Sequence, residues 1–367
     1  MTSIVRRFVA IFVSFCALVP TAAAALEPPQ PSAAAYVLMD ADSGRVLLEK
    51  AALERRSIAS TTKIMTAYTA LSAARPEGKF KVARQHLKEG SSMYLQDGEV
   101  ISFEALLYGL LLPSGNDAAE CVADFCGTGR ETFVARMNKT ANSLGMTNTS
   151  FTNPSGLDEE GHYSCARDMA VLGCAALKDP QFLLLASTRR AQIGARSLEN
   201  HNKLLGTLDG CIGLKTGFTS LAGRTLVSAC ERDGMRFVAV TLHDRADWDD
   251  HTALYDYAFS AYERREALQR GEVVALLPVR GSDVLSMKVA AAECVAFAAA
   301  AGEREEISYE LPEVLTAPLK TGDVIGEAIV SLAGSEIARV PLVCAADAAV
   351  IEQENTGFLD KIFQFFA

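Results

Sequence analysis

The sequence predicts an α/β (α+β) fold: one domain whose sheet gathers strands from distant parts of the chain around a helical middle, followed by a small all-β domain. Strand patterns stand at both ends of that middle, in a hairpin near the N-terminus and in β-branched runs after Cys211. Beyond residue 268 the chain turns Val-rich and alternating, which marks the second unit. At 367 residues, 49% hydrophobic and 22% charged, there is material for two cores, and a disordered tail, a collagen-like fibre and a coiled coil are excluded. A net charge of −10 leaves few cations to neutralise phosphates, so no nucleic-acid partner is expected.

Residues 1–25 carry Arg6 and Arg7, an apolar stretch from Phe8 to Val19, Pro20, and then Ala22 to Ala25, the layout of a cleaved secretory signal peptide. The apolar stretch is short for a bilayer span, which argues against the alternative of an uncleaved anchor. Residues 35–50 alternate about a turn at Asp42-Ser43-Gly44 and read as a strand hairpin. Helical periodicity follows over 60–74, 103–112, 117–125, 131–144 and 166–177, with Pro113-Ser114-Gly115-Asn116 breaking the second run from the third. Strands are expected at 212–216, 225–230 and 237–242, and a last helix at 251–268. The first domain is thereby bounded at 26–268 and the β-rich one at 269–350, with turns near Gly281, Gly322 and Gly334. In the tail, 351–367, Phe358, Leu359, Ile362, Phe363 and Phe366 share one helical face, which can lie in a membrane interface or pack on the β domain or on a partner.

Chemistry concentrates in three places. Ser60-Thr61-Thr62-Lys63 puts a lysine one helical turn from a serine, so that a neutral lysine can take the serine's proton near a helix N-terminus. Ser114-Gly115-Asn116 sits on the break between two helices, where a hydroxyl and an amide can relay a proton and hold an amide, or simply cap the next helix. Lys215-Thr216-Gly217 lies on an expected strand that offers a cation, a hydroxyl and close backbone approach; Lys320-Thr321-Gly322, followed by Asp323, reads as a turn.

Ser-x-x-Lys, Ser-x-Asn and Lys-Thr-Gly in this order are the motif set of penicillin-recognising serine enzymes. Together with Ile58-Ala59-Ser60 to Thr66, Leu112-Pro113-Ser114 to Ala119, Asn153-Pro154-Ser155-Gly156-Leu157 and Gly213-Leu214-Lys215 to Thr219, they make the chain resemble the low-molecular-weight penicillin-binding proteins that act as D-alanyl-D-alanine carboxypeptidases. The resemblance implies a transpeptidase/β-lactamase-like domain with an antiparallel sheet flanked by helices. It implies Ser60 as nucleophile, Lys63 as base and Ser114 as proton relay, with Asn116 holding the substrate amide and Lys215 and Thr216 facing the terminal carboxylate. Gly217 would keep side-chain bulk from the substrate, and the N–H groups of Ser60 and Phe218 would form the oxyanion hole. The implied partners are peptidoglycan stem peptides ending in D-Ala-D-Ala and β-lactam antibiotics, met outside the cytoplasm, with no cofactor and no metal.

An arginine for the substrate carboxylate often follows the last catalytic strand in that family; Arg245 is nearest here but does not align cleanly, and stays outside the site. His86, His162, His201, His243 and His251 are scattered and no Cys-x-x-Cys occurs, which speaks against a metal enzyme; His162 and Asp168 read as structural. A β-lactamase would need a deacylating glutamate, and Glu159 and Glu160 lack the usual surroundings; a non-catalytic wall-binding protein is the other alternative. Eight of the nine cysteines remain after residue 25, six in apolar runs where free thiols are as plausible as bridges, with Cys294 and Cys344 able to pair in the β domain.

Overall fold

The computed structural model describes residues 26–72, 76–126 and 129–351. The expected signal peptide, the tail beyond Ile351 and the last residues of the expected helix 60–74 lie outside the described residues.

Five antiparallel strands form the central sheet, in the order Val46–Lys50, Ala35–Asp40, Met235–Leu242, Gly223–Arg232, Cys211–Thr219. The N-terminal hairpin thus closes a sheet whose other three strands come from residues beyond 210. Ala35–Asp40 is buried along its whole length because helices cover both faces. Val37 and Met39 point into the larger core, beneath Lys63–Ser72 and Ala166–Ala176, whereas Tyr36 and Leu38 pack with Leu254 and Tyr255 of Asp247–Ala261. On that second side the imidazole of His251, buried and pushed down to about 3, bridges Ser228 Oγ at 2.7 Å and Thr241 Oγ1 at 3.0 Å.

The helical middle follows the sequence signals closely. Ser102 caps Phe103–Leu111 through Ala105 N–H, and Gly129–Ser143 starts two residues before the expected position. Helix Pro180–Ser187 is an addition to the expected elements; Asp179 caps it and Pro180 begins it, and its five-residue apolar run Phe182 to Ala186 is too short to show a helical period. Two short hairpins, Lys79–Lys81 with Val100–Ser102 and Arg190–Ile193 with Arg196–Glu199, are likewise additions. Among the described residues no single helix is long and apolar enough to cross a membrane.

One expectation is corrected at the domain junction. The last helix spans Asp247–Ala261 and does not reach residue 268; Tyr262–Leu268 is a strand paired antiparallel with Val295–Ala300. Its charged residues fit a helix or an edge strand equally well, and the pairing partner decides. The rest of the β unit is a six-stranded sheet around Val289, Phe297, Val330 and Leu342. Asp40 accepts from Ala298 N–H at 3.0 Å and Arg45 pairs with Glu303, tying this unit to the first hairpin. Lys320-Thr321-Gly322 is a turn closed by Lys320 N–H on Asp323 at 2.7 Å. All eight described cysteines are free; Cys294 is exposed beside Glu266 while Cys344 is buried under Val279 and Met287, so the two do not pair.

Candidate active site

Ser60 lies in a 3₁₀ turn, Ala59–Thr62, that leads into helix Lys63–Ser72. In 3₁₀ geometry residues three apart eclipse, which sets Lys63 over Ser60 more directly than the expected α-helix does. Lys63 Nζ is 3.0 Å from Ser60 Oγ, 2.8 Å from Asn116 Oδ1 and 2.5 Å from the Ser155 carbonyl. Asn116 Nδ2 donates to Glu89 O at 2.6 Å, which fixes the amide with its oxygen toward Lys63. Lys63 is fully buried, and that burial together with the Lys215 charge holds its pKa well below the ordinary lysine value, against weaker pulls from Asp117 and Glu120.

Neither Ser114 nor Asn116 caps the following helix with its side chain. Gly115 occupies the cap position, Asn116 turns its side chain to Lys63, and the buried Ser114 Oγ has no hydrogen-bond partner. Ser114 sits at φ 64°, a left-handed conformation unfavourable for a side-chain-bearing residue. Ala59, before Ser60, and Leu214, before Lys215, also have positive φ, at 48° and 85°. Each of the three motifs thus contains or adjoins a strained backbone position, a concentration expected where structure is held for chemistry.

The third wall is strand Cys211–Thr219. Lys215 is buried, with Nζ 3.0 Å from the Thr216 carbonyl, and burial pushes its pKa down to about 7. A Cβ on Gly217 would lie 2.4 Å from Thr225 Oγ1 and 3.0 Å from Ser60 N, so only glycine lets the strand approach the nucleophile turn this closely. Thr225 Oγ1 in turn donates to Ile58 O at 3.2 Å. Ser60, Ser114, Thr216, Gly217 and Phe218 line one cleft of about 570 Å³, with Lys63, Asn116 and Lys215 packed behind it. All eight expected site residues are therefore brought together; Phe218 differs from the rest in being largely exposed.

Other residues, to which the sequence assigns no part in the chemistry, shape the site. Loop Asn153-Pro154-Ser155-Gly156 runs beneath the turn, supplying Ser155 O to Lys63 and Pro154 O to Thr66 Oγ1 at 2.6 Å. His162, kept neutral by burial at about 4, accepts or donates at Thr62 Oγ1 at 2.8 Å. Its role is structural, as is that of Asp168, which accepts from Asn148 N–H and Thr149 Oγ1. The tight-turn composition Asn-Pro-Ser-Gly was the available signal for the loop, although its residues lie some 90 positions from Lys63. Glu159 is engaged by Asn153 Nδ2 and Arg130 and does not line the cleft. Among the described residues no cluster of His, Cys, Asp and Glu could hold a metal ion.

A serine backed by a buried lysine whose charge is disfavoured, in an α/β domain of this topology, defines a serine peptidase of the penicillin-recognising class. Residues 22–246 match the D-alanyl-D-alanine carboxypeptidase family, and residues 262–349 match the penicillin-binding protein 5 C-terminal domain. The chain is 31% identical to D-alanyl-D-alanine carboxypeptidase DacF of Bacillus subtilis, covering 88% of this chain and 86% of the relative. It is 32% identical to DacC of Escherichia coli, covering 94% and 91%. Penicillin binding protein 5 from Haemophilus influenzae superposes with a TM-score of 0.77 at 30% identity, over 88% of this chain and 99% of that one. The chain belongs to the D-alanyl-D-alanine carboxypeptidase family.

Proposed function

We propose that this carboxypeptidase is exported and removes the terminal D-alanine of peptidoglycan stem peptides through an acyl-enzyme on Ser60, and that β-lactams acylate the same serine. The observation that carries the reading is the set of partners around Lys63. A neutral amine has two N–H donors and one lone pair. Asn116 Oδ1 and Ser155 O can only accept, so they take the two donors and leave the lone pair for the Ser60 hydroxyl proton. Ser60 Oγ then attacks the carbonyl of the penultimate D-alanine, with the oxyanion received by the N–H groups of Ser60 and Phe218. Ser114, whose hydroxyl is otherwise unpartnered, passes the proton to the leaving D-alanine. Asn116 contributes by orienting Lys63, with one Nδ2 hydrogen left for a substrate carbonyl. Thr216 and Lys215 face the terminal carboxylate, and water releases the acyl group.

The organisation that goes with this reading is a signal peptide over 1–25, a catalytic unit ending near Ala261, the β unit, and an amphipathic tail that makes peripheral membrane contact. Arg6 and Arg7 before the apolar stretch support export, and the apolar face of the tail supports the contact. If a chain ending at Gln353 stays with the membrane fraction as firmly as the full mature chain, the contact is refuted. Wild-type protein should release D-alanine from diacetyl-L-Lys-D-Ala-D-Ala and Ser60→Ala should not; equal release by both would remove Ser60 from the mechanism. A β-lactamase would free itself quickly from bound penicillin, whereas here, with Glu159 tied up, the adduct should persist.

The two lysines also set a pH profile. Lys63 must be neutral and Lys215 charged, and burial lowers both pKa values. On the acid side kcat/KM should rise as Lys63 loses its proton, and above about 7 it should fall as Lys215 loses its charge. A bound carboxylate stabilises the Lys215 ammonium, so kcat should hold to higher pH than kcat/KM. Lys215→Arg, charged throughout, should move the alkaline limb upward. An alkaline limb unmoved by that substitution would assign it to another group.

A further inference from the structure

We infer that Arg224 reads the free carboxylate at the end of the substrate, held for that task by Asp247 and Trp248; the inference rests on the carboxypeptidase reading above. Arg224 lies near the start of the second strand of the catalytic hairpin, directly opposite Phe218 in the antiparallel register. Thr216, two residues before Phe218, shares that face, so Arg224 and Thr216 are diagonal neighbours within reach of one ligand. Arg224 lines the same cleft as Ser60 and Thr216. Its guanidinium is fixed from behind: Nε and Nη2 donate to Asp247 Oδ1 at 3.1 and 2.8 Å, Nη2 also reaches Oδ2 at 2.8 Å, and the Trp248 ring centroid is 5.4 Å away. Asp247 is buried, with a side chain 3% exposed, while that of Arg224 is 43% exposed.

The unused donors carry the argument. Among the described residues Nη1 has no hydrogen-bond partner, so a rigidly anchored, permanently charged group keeps two N–H donors free at the cleft. The other cations near the cleft are less suited. Lys215 is buried, its Nζ donates to the Thr216 carbonyl, and burial makes it only partly charged near neutrality. Lys203 lines the cleft but is exposed and forms no ion pair among the described residues, so nothing fixes its ammonium. Arg245, the nearest arginine by sequence, is exposed and does not line the cleft. The carboxylate-reading arginine of this chain therefore comes from within the catalytic hairpin and not from the segment after the last strand.

The test compares two peptides, diacetyl-L-Lys-D-Ala-D-Ala with its free carboxylate and the same peptide ending in a carboxamide. In full-length mature protein, Arg224→Gln should lower kcat/KM for the acid about 10- to 100-fold and change it for the carboxamide less than about 2-fold, collapsing the wild-type preference. Arg224→Lys, which keeps a charge without the anchored fork, should restore part of that preference, and it serves if the glutamine variant unfolds around the buried Asp247. Arg245→Ala should leave both values unchanged. Equal losses on both peptides, or a wild-type preference retained in Arg224→Gln and Arg224→Lys, would overturn the inference while leaving the Ser60 mechanism standing. A wild-type protein that hydrolyses neither peptide would refute that mechanism and the inference with it.

Discussion

Lys63→Ala is expected to abolish acylation of Ser60, by penicillin and by peptide alike, in a protein that remains folded. A positioned general base contributes about 10² to 10⁴ in rate, and no second base lies within hydrogen-bond distance of Ser60 Oγ among the described residues, so the loss should reach the upper end of that range. Stability should fall little. The substitution leaves Asn116 Oδ1 and Ser155 O short of a donor, yet it also removes a buried amine that burial and Lys215 already disfavour as a cation. Lys63→Arg should not rescue the rate, because a guanidinium stays protonated and cannot accept the serine proton. Stopped-flow labelling with a fluorescent penicillin, alongside circular dichroism, measures both effects. Labelling of Lys63→Ala at the wild-type rate would show that another group activates the serine.

Gly156→Ala should damage activity and stability together. Gly156 has φ +83°, and a Cβ there would stand 2.0 Å from the Ala59 carbonyl oxygen and 2.8 Å from Thr62 Oγ1. Neither the loop nor the nucleophile turn can yield alone, since Ser155 O holds Lys63 and Ala59 O accepts from Thr62 Oγ1 at 2.8 Å. Positive-φ strain plus the backbone clash should cost about 2 to 4 kcal/mol, and displacement of Ser60 by about an ångström should lower kcat/KM by about 10²-fold or more. Gly322→Ala is the matched comparison: φ is similar at +91°, but nothing lies within 4 Å of the added carbon. That variant should lose about 1 kcal/mol and no activity. Equal thermal unfolding of the two variants would mean that the loop is not wedged beneath the turn.

Much of this site was legible in the chain because its parts are short and chemically marked. Ser60 and Lys63 sit three apart, and the strands of the catalytic hairpin are β-branched enough to declare themselves. What stayed hidden depends on packing. The nucleophile turn is 3₁₀, and Gly156 and Gly217 pack closely against it, neither of which any periodicity records. Ser155 serves through its backbone carbonyl, a group that every residue has, and Thr62 finds His162 100 positions away. Asn116 looked like a ligand for substrate or a helix cap, and proves to spend its oxygen on Lys63. The junction failed for another reason: Tyr262 to Leu268 carries no decisive pattern, and the strand Val295–Ala300 that fixes its conformation lies some thirty residues on.

Acylation of Ser60 is tested most directly by intact-mass and peptide-mapping spectrometry of the mature chain after brief exposure to penicillin. The account predicts one stoichiometric adduct, located on the peptide containing Ser60 and missing from Ser60→Ala. An unmodified protein, or an adduct on any other residue, would contradict it.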